Sequence, residues 1–285
     1  MNASIQGLPV HAHELPAIAS DGHRFTLQAR VPSNPRATLL WHGGMGIAAR
    51  HYLPFADALA ARGIAVFVPD WRGVGSSSAR ASRASDWGYR ELLMADMPAS
   101  EAVVAHALPE LPRIVGGHSL GGQLASVRAG LAPGSAHGMW LVASGTPSFR
   151  AFPWRNRWWL PGAYHLLDAI ARTSGKLPGR RIGFGGEESR GVIRDWSRSG
   201  LTGRYAAADL AVDLELALQR VAIPIRAVRM THDWLAPLSS LQALLAKMPE
   251  ARAEIAALDA AAPHVRADHY HWMKHPVATV DALLE

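Results

Sequence analysis

The sequence predicts an α/β fold: a mainly parallel central sheet with helices on both faces and an inserted helical cap. Three observations carry that expectation. Short apolar runs bounded by Gly and Pro alternate with longer amphipathic stretches, as a parallel sheet requires, because each crossover between parallel strands carries a helix. The run Gly116-Gly117-His118-Ser119-Leu120-Gly121-Gly122 joins a strand-like segment directly to a helix-like one. The alternation stops between residues 148 and 220 and then resumes.

Taken in order, the strand candidates are residues 24–29, 38–41, 65–68, 113–117, 139–143 and 225–230, with a weaker one at 264–267. Each is short, apolar and flanked by turn formers. The helix candidates are 52–62, 86–107, 120–129, 239–247 and 277–284, where apolar residues recur at helical spacing. Residues 148–220 hold Trp154, Trp158, Trp159 and Trp196, four of the ten tryptophans, with many arginines and several Gly/Pro breaks. The division expected is a core of residues 1–147 and 221–285 with a cap or lid at 148–220.

Composition narrows the possible functions. At 285 residues the chain can bury a substantial core. No apolar run reaches membrane-spanning length. Residues 1–10 carry no basic residue ahead of an apolar stretch, so no secretory signal is expected and a cytoplasmic location is. Without cysteine there is no disulfide framework, thiol nucleophile or thiolate metal site. Residues 148–220 contain twelve Lys/Arg against seven Asp/Glu and so carry +5 of the net +6. With no basic block elsewhere and no nucleic-acid motif, a solvated arginine-rich surface is expected rather than nucleic-acid binding.

The chemistry concentrates around Ser119. In Gly117-x-Ser119-x-Gly121 the serine occupies a strained turn that lifts its hydroxyl clear of the sheet, and the flanking glycines remove side chains that would collide there. A serine hydroxyl is a poor nucleophile at neutral pH. A histidine must take its proton, and a carboxylate must hold that imidazole in the right tautomer. Asp233 follows the strand candidate at 225–230, and His269 follows the last weak one. His271 is the alternative base. The glycine-rich turn His42-Gly43-Gly44-Met45-Gly46 follows an early strand and can aim a backbone N–H at a developing oxyanion. Gly44 is the expected donor, with Met45 next, and Leu120 supplies the second. His269-x-His271 with His275 lacks a convincing third and fourth ligand, so neither a metal nor a cofactor is expected. Gly183-Phe184-Gly185-Gly186 lacks the lysine and hydroxyl of a phosphate loop and reads as a turn.

With the elbow at Ser119, His42-Gly43 and the loop Asp70-Trp71-Arg72-Gly73-Val74-Gly75-Ser76, the chain resembles the α/β-hydrolase superfamily over essentially its whole length. It is most similar to a little-characterised bacterial group of esterase-like serine hydrolases. The features shared with that group are Asp86-Trp87 opening a long helix, Gln123, and Asp195-Trp196-Ser197-Arg198. The resemblance implies the fold, a triad of Ser119, Asp233 and His269, and an oxyanion hole with two donors. One departure is that Asp268 precedes His269 where those relatives have glycine.

The activity expected is cofactor-independent hydrolysis of a carboxylic ester or thioester through an acyl-enzyme on Ser119. The expected substrate is a small molecule with an apolar or aromatic group. The same machinery serves an acyltransferase or a cofactor-free ring-cleaving enzyme, and the same fold serves non-catalytic binding proteins. Oligomeric state is not legible in the sequence.

Overall fold

The computed structural model describes residues 9–259 and 267–285. An eight-stranded sheet runs in the order β1 (Val10–Ile18), β2 (Arg24–Pro32), β4 (Ile64–Pro69), β3 (Ala37–His42), β5 (Arg113–His118), β6 (Gly138–Val142), β9 (Ile225–Met230), β10 (Ala253–Leu258). All pairings from β4 across to β10 are parallel, whereas β1 and β2 form an antiparallel hairpin whose second strand runs against β4.

The central strands form because their side chains are buried on both faces. Every residue of β3 and β4 is buried. Alternate residues of β3 serve opposite layers. Leu39 and Trp41 pack with Phe55 and Leu59 of the Leu53–Ala60 helix and with Leu283 of the Val277–Leu284 helix. Leu40 faces Val104 of the Met97–Ala107 helix. The Leu120–Leu131 helix shares this second side, packed with the Leu214–Gln219 and Leu238–Leu245 helices in the largest apolar cluster.

Two strands of this sheet escape the sequence reading, and both lie at its edges. β1 is largely exposed, with two histidines and Pro16 in its sequence, and β10 is alanine-rich and mostly exposed. Neither offers the apolar run that marks an interior strand. Most of the weak strand expected at 264–267 lies outside the described residues. The long helix expected at 86–107 starts instead at Tyr89, passes through one wide π turn at Leu92–Asp96 and continues as Met97–Ala107. Asp86 and Trp87 precede it because their segment is tied down elsewhere. Gly191 N–H donates to Asp86 Oδ1 at 3.0 Å, and Tyr89 N–H donates to the buried Asp195 at 3.0 Å.

Between β6 and β9 the chain leaves the sheet. It forms the Trp154–Arg157, Leu160–Ser174 and Arg190–Thr202 helices and the short hairpin β7 (Leu177–Pro178) and β8 (Glu187–Glu188). This excursion has its own small core, in which Tyr164 meets Trp196 edge to face with centroids 4.9 Å apart. No helix among the described residues is long and apolar enough to cross a membrane.

Candidate active site

Ser119 directly follows β5 with φ +53° and ψ −121°, a backbone region costly for any residue with a Cβ. The surroundings over-determine it. Its N–H donates to Val142 O at 3.2 Å, and its carbonyl accepts from Gly122 N–H, Gln123 N–H and Ser144 Oγ. The two glycines of the motif are needed for space: a Cβ on Gly121 would lie 2.1 Å from His42 O, and one on Gly117 would lie 2.4 Å from the Gly121 carbonyl carbon.

His269 Nδ1 lies 2.7 Å from Asp233 Oδ2, with the Asp233 side chain fully buried. Asp233 Oδ1 accepts the N–H groups of Leu235 and Ala236 at 2.8 and 3.1 Å, which fixes the carboxylate in the turn after β9. The loop bearing His269 is anchored by Trp272, whose Nε1 donates to His269 O at 3.1 Å and whose ring is buried among Trp41, Tyr52 and Phe55. His271 turns outward, half-exposed, with Nδ1 2.7 Å from Asp268 Oδ2. Asp268 also accepts the N–H groups of Tyr270 and His271. It shapes the loop without reaching the cavity.

Ser119 and His269 line one cavity of about 270 Å³. Gly44, Met45 and Leu120 lie on its floor, and Trp159, Leu160, Tyr164 and Trp196 of the excursion close it from above. Gln123, noted from its place after the elbow, also lines the cavity, and the Oε1 of its buried amide makes no hydrogen bond with the described residues.

Tyr52 and His118, neither assigned a role from the sequence, join the glycine-rich turn to the elbow. Gly44 N–H donates to Tyr52 Oη at 2.7 Å, and Tyr52 Oη lies 2.8 Å from His118 Nδ1. His118 in turn packs its ring 4.7 Å from that of His269. Burial, reinforced by the neighbouring His269, holds His118 well below the usual histidine range, so it is neutral. Its Nδ1 can then accept the tyrosine proton. Burial likewise pushes His42 down to about 3, which leaves it unable to serve as a base near neutrality. Trp71 Nε1 donates to Gly43 O at 2.6 Å. Asp70 accepts from Ala49 N–H and from Ser76 N–H and Oγ, each at 2.8 Å. The Asp70–Ser76 loop therefore supports the glycine-rich turn from behind.

Met45 N–H makes no hydrogen bond with the described residues, and the first N–H of the helix beginning at Leu120 has no intrahelical acceptor. Both residues line the cavity beside Ser119.

Comparison with known proteins agrees with this architecture. No curated protein is a significant match in sequence. Among solved structures, a hydrolase from Pseudomonas aeruginosa is 18% identical with a TM-score of 0.63, over 99% of this chain and 98% of its own. An esterase from Pyrococcus furiosus is 14% identical with a TM-score of 0.60, over 96% of this chain and 89% of its own. The thioesterase domain from the curacin biosynthetic pathway is 17% identical with a TM-score of 0.58, over 96% of this chain and 100% of its own. At these identities the likeness is one of fold. The model of the serine aminopeptidase S33 family matches residues 33–181, just over half of the sequence and including the elbow at Ser119. The chain therefore belongs to that family of the α/β-hydrolases.

Proposed function

We propose that the protein is a serine hydrolase acting on a carboxylic ester or thioester with an apolar acyl or aromatic group. Ser119 Oγ attacks the carbonyl carbon while His269 takes its proton, and the carbonyl electron pair moves onto oxygen. Collapse of that intermediate breaks the bond to the leaving alcohol or thiol, which receives the proton from His269. A water activated by the same imidazole then releases the acid and restores Ser119. Asp233 holds His269 in the tautomer this cycle needs. Met45 and Leu120 supply the oxyanion donors in this reading. Gly44 does not, because its N–H is committed to Tyr52 Oη. The excursion at 148–220 acts as a cap, and its apolar lining favours an apolar acyl group.

One observation carries the reading. A serine forced to positive φ at a strand end shares a cavity with a histidine that is hydrogen-bonded to a buried carboxylate. The test is labelling with a fluorophosphonate, with the adduct mapped by mass spectrometry in wild type and Ser119→Ala. An adduct on Ser119 that is missing from the folded variant supports the assignment. Ester turnover by the purified variant at the wild-type rate would sink it.

A further inference from the structure

The rim of the cavity is unusually apolar for a surface in contact with water. Trp154 is 74% exposed, Trp158 78% and Trp234 54%, and Leu166, Ile182 and Tyr270 are exposed as well. Leu166, Ile182, Trp234 and Tyr270 also line the cavity, so they mark its mouth. Trp159 lines it too and meets Trp234 with ring centroids 5.9 Å apart. Trp154 and Trp158 extend the patch outward from Trp159 along the chain. Isolated exposed apolar residues are ordinary on soluble proteins, whereas a contiguous group around an opening marks a contact surface.

Charge identifies what that surface meets. Residues 149–182, the stretch that carries most of the patch, contain seven Lys/Arg against a single acidic residue, Asp168. That excess of +6 equals the net charge of the entire chain. Asp168 is paired with Arg172, and Lys176 with Glu187. Arg155 and Arg181 are exposed and make no ion pair with the described residues. Indole rings among arginines suit the interface between headgroups and acyl chains, where the ring is half solvated and the guanidinium meets phosphate. A second copy of this chain would set one excess of positive charge against another.

We propose that the cap rim docks this protein on an anionic phospholipid surface. Trp154 and Trp158 insert at headgroup level, and the arginines pair with lipid phosphates. The mouth then opens against the lipid, so an apolar substrate enters the cavity without crossing water. The docking requires no catalytic step and stands or falls apart from the hydrolase reading.

The experiment is co-sedimentation of the full chain with two sets of vesicles, one of phosphatidylcholine alone and one with about a third phosphatidylglycerol. Wild type is expected to pellet with the anionic vesicles, with an indole emission shifted to the blue and a partition weakened by added salt. Trp154→Ala/Trp158→Ala is expected to weaken partition at least about tenfold, and Arg155→Gln/Arg181→Gln to remove the preference for anionic lipid. None of these four residues lines the cavity. An unchanged melting temperature and wild-type turnover of a soluble short-chain ester show that the variants are intact, and the melting temperature alone serves if no ester is turned over. Failure of wild type to bind either vesicle overturns the proposal. So does equal binding by the tryptophan variant, or a solution dimer that the tryptophan variant splits into monomers.

Discussion

Tyr52 Oη lies 2.8 Å from His118 Nδ1 while accepting the Gly44 N–H at 2.7 Å. One buried hydroxyl therefore joins the glycine-rich turn after β3 to the residue preceding Ser119. The His118 ring in turn packs against that of His269, so the third loop of the site meets this junction through ring contact. Inside an apolar aromatic cluster such a junction is stiff, because every partner lost leaves an unsatisfied group.

Tyr52→Phe tests that junction. It removes the oxygen and keeps the ring, orphaning Gly44 N–H and His118 Nδ1 in the core. The expected cost is about 2 kcal/mol of stability and a roughly tenfold fall in kcat with little change in KM, as displaced catalytic groups produce. Denaturant melts and steady-state kinetics measure both. A kcat equal to wild type would show that the hydroxyl only packs.

Asp233→Asn tests the orienting carboxylate. An asparagine can retain an oxygen for Leu235 and Ala236 N–H, but its amide then faces His269 Nδ1 as a donor and favours the wrong tautomer. On the proposed mechanism turnover falls by about 10⁴-fold with the fold intact. His271→Ala, which alters a half-exposed ring outside the cavity, stays within about twofold of wild type. If the two variants exchanged effects, the base would be His271.

Glu188 gives the fold a pH dependence. Burial pushes its carboxyl from 4.5 up to about 7, although Gly186 N–H and Arg180 pull the other way. The folded protein thus keeps a proton that the unfolded chain releases. The stability held in this group is complete below about pH 4.5 and is lost as pH rises through about 7. The loss amounts to at most about 3 kcal/mol. Glu188→Gln keeps an acceptor for Gly186 N–H and removes the titration. The buried, neutral His42 and His118 raise the stability of both proteins with pH over this range, so thermal melts from pH 4 to 8, values spanning about that window, should show the margin of wild type over the variant shrinking as pH rises. Parallel curves would mean that Glu188 is ionised throughout.

How far the molecule could be read from its sequence follows the location of each part. β3, β4 and β6 are interior strands whose burial on both faces wrote apolar runs into the chain, while β5 and β9, also interior, kept enough apolar residues between turn formers to be legible. β1 and β10 are edges, where one side of the backbone faces water and composition is free to drift toward His, Pro and Ala. Asp233 and His269, picked out by chain order, do meet in space, Asp233 from the turn after β9 and His269 from the loop that Trp272 anchors. Tyr52, His118 and Trp272 left no comparable trace. Tyr52 and His118 are partners across 66 residues, and nothing local in Leu53–Ala60 or at the elbow requires either one. Asp86-Trp87 and Asp195-Trp196 were visible as separate short motifs. That Asp195 receives the N–H of Tyr89, two residues past Trp87, required three dimensions.

The cavity has two owners. Its floor comes from loops that the sheet holds rigid, while its roof comes from one continuous stretch with a small core of its own around Tyr164 and Trp196. On the proposed mechanism, mutation in that single stretch can therefore alter which molecules are admitted while Ser119, Asp233 and His269 stay where they are. Selectivity and chemistry would then be separately adjustable, the one through the roof and the other through the loops around Ser119.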